Sequence, residues 1–262
     1  KPAAIISEEK NEKYGITTWK FGNGVTVKVK PTDFNNDKII FSSYNNGGWS
    51  TTARPDFYSA VSADAIIDNS GLGEFDATML DKMLSGKTVS CSPNIGPLTQ
   101  GLTGSCAPKD LSTMMELIYG YHTMPRIDKD AFSQFVEARK TALKNKSVIP
   151  QAVYNDTVNY LMSGYHYVGR PMTVELVDSI NSERALAIYK ELMSDVSGTN
   201  FYLVGNFDVD SLKNFVCKYI GNLPASGNAK NWKDLGVRSP KGSVNKTVSK
   251  GIAPKSYVSL RW

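Results

Sequence analysis

The sequence predicts an α+β domain of two layers, an antiparallel sheet with helices packed on one face. Three observations predict it. Extended segments with alternating polarity come in neighbouring pairs, and amphipathic helical segments come in runs, the arrangement of a segregated sheet and helix layer. The chain has 262 residues, 41% of them hydrophobic, enough for one sizeable core.

Residues 1–13 are polar and read as a linker. Val25, Val27 and Val29 then alternate with Thr26, Lys28 and Lys30, a strand with one wet face, and Asn23-Gly24 before it predicts a type I′ hairpin turn. Lys38–Tyr44 is the next strand, ended by Asn45-Asn46-Gly47-Gly48. Phe57 to Asn69 reads as one helix with Val61, Ala65 and Ile66 on one face and Asp64 and Asp68 on a solvated one. Gly71 and Gly73 stop it. Asp76–Leu84 is a short helix with Met79, Leu80, Met83 and Leu84 inward, and Val89–Leu102 two extended pieces interrupted by Pro93, Gly96 and Pro97. Helices follow over Asp110–His122, Asp128–Asn145, Gln151–Met162 and Ser182–Met193, the last with Ser182 as N-cap. Asn200–Gly205 is a buried strand and Asp208–Ile220 the helix after it. A Gly/Asn/Lys/Pro-rich connector follows, and residues 252–262 begin a new extended segment.

Composition narrows the chemistry. With 30 Lys+Arg against 25 Asp+Glu the net charge is a mild +5, and the cations are scattered, so no nucleic-acid partner is expected. No apolar run reaches the ~18 residues of a membrane span, and the N-terminus has no signal-peptide apolar region. His122 and His166 are the only two imidazoles, which argues against a His-rich metal site. Cys91, Cys106 and Cys217 have no zinc spacing and read as buried free thiols, although a Cys91–Cys106 bridge has a plausible loop length.

The short motifs read blandly. Ser85-Gly86-Lys87-Thr88 ends like a phosphate loop, but position 81 is Asp81 where the pattern needs glycine. No G-x-S-x-G surrounds any serine. His122 ends an apolar helix, where a cation suits the helix dipole, and His166 sits in an aromatic loop; both read as structural. The sequons at Asn145, Asn155 and Asn245 carry little weight.

The order of four segments says more. Asn23-Gly24 with Val25-Thr26-Val27, then Tyr119–Phe132 (YGYHTMPRIDKDAF), Gly169–Tyr189, and Asn200–Pro224 (NFYLVGNFDVDSLKNFVCKYIGNLP) resemble the insulinase / pitrilysin / mitochondrial processing peptidase family of zinc metallopeptidases. The resemblance covers residues 14–224 and implies the family's LuxS/MPP-like metallohydrolase fold. Active members carry H-x-x-E-H on the first helix, where two His and a later Glu hold Zn²⁺ and the inner Glu activates water. Here that helix has no His and no Glu. The best register puts Ser62 and Ile66 at the two ligand positions, Ala65 at the general base and Asn145 at the distal Glu.

The resemblance therefore implies a domain without catalytic, cofactor or metal residues of its own. Ser70–Val89 (SGLGEFDATMLDKMLSGKTV) resembles the third domain of long bacterial members. Residues 225–249 become a linker and 250–262 the first strand of a truncated following domain. Zinc would sit in an active domain of the parent protein. The expected partners are homologous peptidase domains and a peptide substrate, and the compartment that of exported, periplasmic relatives. A stand-alone, non-enzymatic subunit of the same fold is the alternative; an unrelated hydrolase using His166 is a distant third.

Overall fold

The computed structural model describes residues 1–252. They fall into two compact units, Lys1–Phe135 with Ser179–Lys233, and Val136–Asp178 with the residues from Asp234 onward. The strands are β1 (Ile5–Asn11), β2 (Ile16–Phe21), β3 (Thr26–Pro31), β4 (Ile39–Asn46), β5 (Val89–Ile95), β6 (Thr99–Cys106) and β7 (Asn200–Gly205). The helices are α1 (Phe57–Ala60), α2 (Ala63–Asp68), α3 (Ala77–Leu84), α4 (Leu111–Thr123), α5 (Lys129–Ser147), α6 (Pro150–Met162), α7 (Val174–Val177), α8 (Ser182–Met193) and α9 (Val209–Lys218).

All seven strands belong to the first unit and form one sheet in the order β1-β2-β3-β7-β4-β6-β5. Alternation decides which face is buried. Trp19, Phe21, Val27, Val29, Ile39, Phe41, Phe201 and Leu203 point inward and are at most 2% exposed. They share the core with Ile66 and Ile67 of α2, Met114, Met115 and Ile118 of α4, and Ile188 and Tyr189 of α8. Each such side chain contributes roughly 1.5–3 kcal/mol by leaving water. The expected layering of helices on a sheet is present, with one pair that is not antiparallel. β7 enters the middle of the sheet, antiparallel to β4 and parallel to β3 (Val27↔Phe201, Val29↔Leu203). A parallel neighbour needs a long connection, and residues 32–199, carrying β4, β5, β6 and the helices α1 to α8, join β3 to β7.

Several local expectations change. Residues 1–13 are not a plain linker, because β1 pairs antiparallel with β2 and forms an edge of the sheet. Its charged sequence hides it: Glu8 takes an inward register opposite Trp19 and meets Lys213 of α9 at 2.6 Å, so no apolar alternation is left to read. Asn23-Gly24 does not make a type I′ turn, since only Gly24 has positive φ (79°). The loop is one residue longer, closed by Gly24 N–H to Phe21 O at 3.0 Å. The Asn23 amide reaches away to Ile220 O and Leu223 O. Asn181, not Ser182, caps α8 by accepting from Arg184 N at 2.8 Å.

The turn after α8 is a hub of side chains bonding to backbone. Leu192 O accepts from Gln100 Nε2 (3.3 Å) and Lys230 Nζ (2.7 Å), Met193 O from His122 and Ser197 O from Asn45 (3.0 Å). Asp195 gathers the amides and hydroxyls of Ser197 and Ser226. Residues 224–233 of the connector are thereby strapped to the first unit. Burial works to raise the Asp195 pKa, but those four donors hold it well below the usual carboxylate range.

The second unit holds the rest of α5 with α6 and α7. Pro150 opens α6, and Lys146 meets Asp156 at 2.7 Å and Lys140 meets Asp178 at 2.6 Å. The proposed following strand at 250–262 lies almost wholly outside the described residues.

Candidate functional site

The helix expected over Phe57 to Asn69 is broken in two. α1 ends at Ala60, and α2 restarts at Ala63 after Val61 and Ser62, with Ser62 at φ −115°. The break falls at the first of the two positions where the resemblance requires a zinc ligand. Ser62 is 6% exposed and Ile66 1%, and both face the core one helical turn apart. Ala65 is half-buried, and its carbonyl accepts from Asn69 Nδ2 at 2.7 Å. The three side chains offer one hydroxyl, one methyl and one branched hydrocarbon. That donor set does not fit Zn²⁺, and none of the three can take a proton from water. Asn145, the fourth position, is exposed on α5 in the second unit. Among the described residues, no three His, Cys, Asp or Glu side chains gather closely enough to hold a metal ion.

The ionisable groups near this segment are structural pins. Asp64 and Asp68 do not lie on a solvated face. Asp64 accepts from Ile95 N of β5 at 2.9 Å and from Ala65 N at 2.8 Å, and burial pushes its pKa up. Asp68 accepts from the Tyr121 hydroxyl of α4 at 2.6 Å. Tyr189 of α8 donates to Tyr121 O at 3.2 Å. These bonds tie α2 to β5 and α8 to α4, and they lie outside what the spacing Asp-x-x-x-Asp alone could reveal. Burial raises the Tyr121, Tyr189 and Cys91 pKa values far above physiological pH and the Cys106 value to about 12, so none is a poised nucleophile. All three cysteines are free; Cys91 and Cys106 are buried and Cys217 is half-buried.

His122 is not a helix-end cation. It is 2% exposed, its Nδ1 lies 2.6 Å from Met193 O, and burial pushes its pKa down to about 4. The imidazole is neutral, with Nδ1–H donating and Nε2 left without a partner. His166 caps a short turn in the second unit by accepting from Val168 N at 3.3 Å. At Ser85–Thr88 the Thr88 amide donates to the Asp110 carboxylate at 2.9 Å and Lys87 to Thr113 at 2.8 Å. A phosphate would meet a carboxylate there.

No protein-family model matches the chain. A zinc protease PQQL-like of Arabidopsis thaliana is 22% identical over 226 residues, 85% of this chain and 21% of the relative. The chain thus spans about a fifth of the length of that curated relative. Among solved structures it is similar to the periplasmic protease PqqL of Escherichia coli, with a TM-score of 0.75, 20% identity, and coverage of 91% of this chain and 26% of that one. It is also similar to a peptidase M16 inactive domain of Pseudomonas fluorescens, with a TM-score of 0.66, 12% identity, and coverage of 83% and 54%.

Proposed function

From a chain that is a remote member of the insulinase-type zinc peptidases, we propose a non-catalytic domain of a larger peptidase of that family. Its work is to form part of the wall around a substrate peptide and to contact homologous domains, on the same or a partner chain, while another domain holds zinc and hydrolyses the peptide. The observation that carries this reading is the α1–α2 segment, which contains no His and no Glu and turns Ser62 and Ile66 into the core; in this reading Ser62, Ala65 and Ile66 stand where the family's ligands and base would be. Asn145 at the distal position is also no general base and a poor zinc donor. The limited share of the relative's length favours one domain of several. In this reading the domain extends over residues 14–224, with β1 added at its front and residues 225–233 of the connector 225–249 strapped to it, and 250–262 begin a following domain. The likeness to a periplasmic protease supports export to the periplasm. No helix among the described residues is long and apolar enough to cross a membrane.

The test is metal analysis and peptidase assay of the purified chain. We expect less than a tenth of an equivalent of tightly bound zinc (a threshold of about 0.1) and no cleavage of unstructured peptides. One equivalent of zinc, or cleavage abolished by a chelator, would overturn the reading.

A further inference from the structure

Among the described residues, the helices of the first unit pack on one face of the sheet. On the other, Ile40 and Tyr44 of β4 and Val204 of β7 remain 53%, 45% and 38% exposed. The register brings them together: Ile40 lies opposite Val204, and Ser42 opposite Tyr202. Tyr44 and Tyr202 stack with ring centroids 5.9 Å apart and planes 11° apart. On the far side of Tyr202, Lys28 Nζ lies 5.7 Å from the ring centre. Lys30 stands opposite Val204 on the same edge of the patch. Neither lysine makes an ion pair among the described residues, whereas Lys20 on the neighbouring strand is matched by Glu9 at 3.1 Å. Towards β6 the patch ends in small residues, Gly101 in line with Tyr44 and Thr103 opposite Ser42. The result is an apolar strip with Lys28 and Lys30 on one side, Lys28 sharing a shallow hollow with Glu9 and Glu12 without pairing to either, and small residues on the other.

From this we infer that the open sheet face between Lys28–Lys30 and Gly101–Thr103 is a docking surface for an extended, acidic and apolar peptide, the substrate of the parent peptidase. The inference rests on the function proposed above and names where this domain touches substrate and which sequences it prefers. Charge complementarity supplies the acidic part. An extended peptide also repeats side chains on one side every ~7 Å, the spacing of Ile40, Ser42 and Tyr44 along β4. A second copy of the chain fits less well, because it brings the same lysines. Single-stranded nucleic acid fits less well too, since both ring faces of Tyr202 are taken and the centre of the strip is aliphatic.

The probe is an unstructured peptide alternating Leu and Glu, with a Leu/Lys peptide of equal length beside it. Binding to the whole chain is followed by fluorescence anisotropy, and the peptide is recovered by chromatography. We expect the Leu/Glu peptide to bind, to come back intact, and to weaken as salt rises. The pair Lys28→Glu and Lys30→Glu should weaken it at least about tenfold, as should the pair Ile40→Ser and Tyr44→Ser, the thermal midpoints confirming that both variants fold. Lys82→Glu with Lys129→Glu, the same charge change on other exposed positions, should leave binding within about twofold. Unchanged binding in both face variants, equal binding of the Leu/Lys peptide, competition by an oligonucleotide, or a dimer abolished by the face variants would each overturn the docking surface. A cleaved peptide would overturn the function proposed above while leaving the surface in place.

Discussion

The buried neutral His122 makes stability depend on pH with a definite sign. Its ordinary value is 6.5 and its folded value about 4, so between the two the unfolded chain binds more protons. The contribution is therefore complete above 6.5 and is lost as pH falls toward 4, on the order of 3 kcal/mol in all. In His122→Gln the slope of the urea midpoint against pH should flatten within that window; an unchanged slope would mean the imidazole is not the group that titrates. Ile66 permits a second prediction. Ile66→His, the first step in rebuilding a zinc motif, should lower unfolding free energy by about 2–5 kcal/mol, because it trades a core hydrocarbon for a polar ring with no partner. Denaturant melts with and without zinc should show no metal-dependent recovery. At this scale the sequence revealed inward valines and aromatics through alternation. It concealed the state of His122 and the pinning of Asp64 and Asp68, because those depend on Met193, Ile95 and Tyr121, residues far away along the chain.

At the scale of elements, long periodic segments such as α4, α8 and β7 were legible almost to the residue. The α8 cap is a local bond one residue earlier than the sequence pattern places it, whereas the misses at β1 and at the Asn23 loop share a cause, each being decided by a partner outside the local pattern. The strap over residues 224–233 is another such element, held at one end by Lys230 bonding the carbonyls of Leu192 and Asp195. Lys230→Met should cost about 1.5–3 kcal/mol by removing a charged donor, and limited proteolysis should then cut the connector sooner than in the parent chain. α3 behaves oppositely. None of its residues is buried, and Met79 and Met83, expected inward from their spacing, are about half exposed. Met79→Lys with Met83→Lys should move the denaturant midpoint by an amount equivalent to at most about 0.5 kcal/mol, while lowering light scattering in concentrated solution. A large loss of stability would show that this face is packed.

For the molecule as a whole, the sequence located the α1–α2 segment and its residue types, but not the break at Val61 and Ser62 that divides it. The open sheet face was not legible, since Lys28, Ile40, Tyr44 and Tyr202 meet only when β7 arrives between β3 and β4. That late arrival also governs how the chain is built. Until residue 200 has been made, the strands form two separate ribbons, β1-β2-β3 and β4-β6-β5, each with a raw inner edge of unsatisfied amides and carbonyls. A nascent chain on the ribosome must keep those two edges from annealing to each other, or to a neighbour, until the last strand closes the gap. A chain stopped just before Asn200 should accordingly collect in the insoluble fraction, and β7 added as a separate peptide should return part of it to solution.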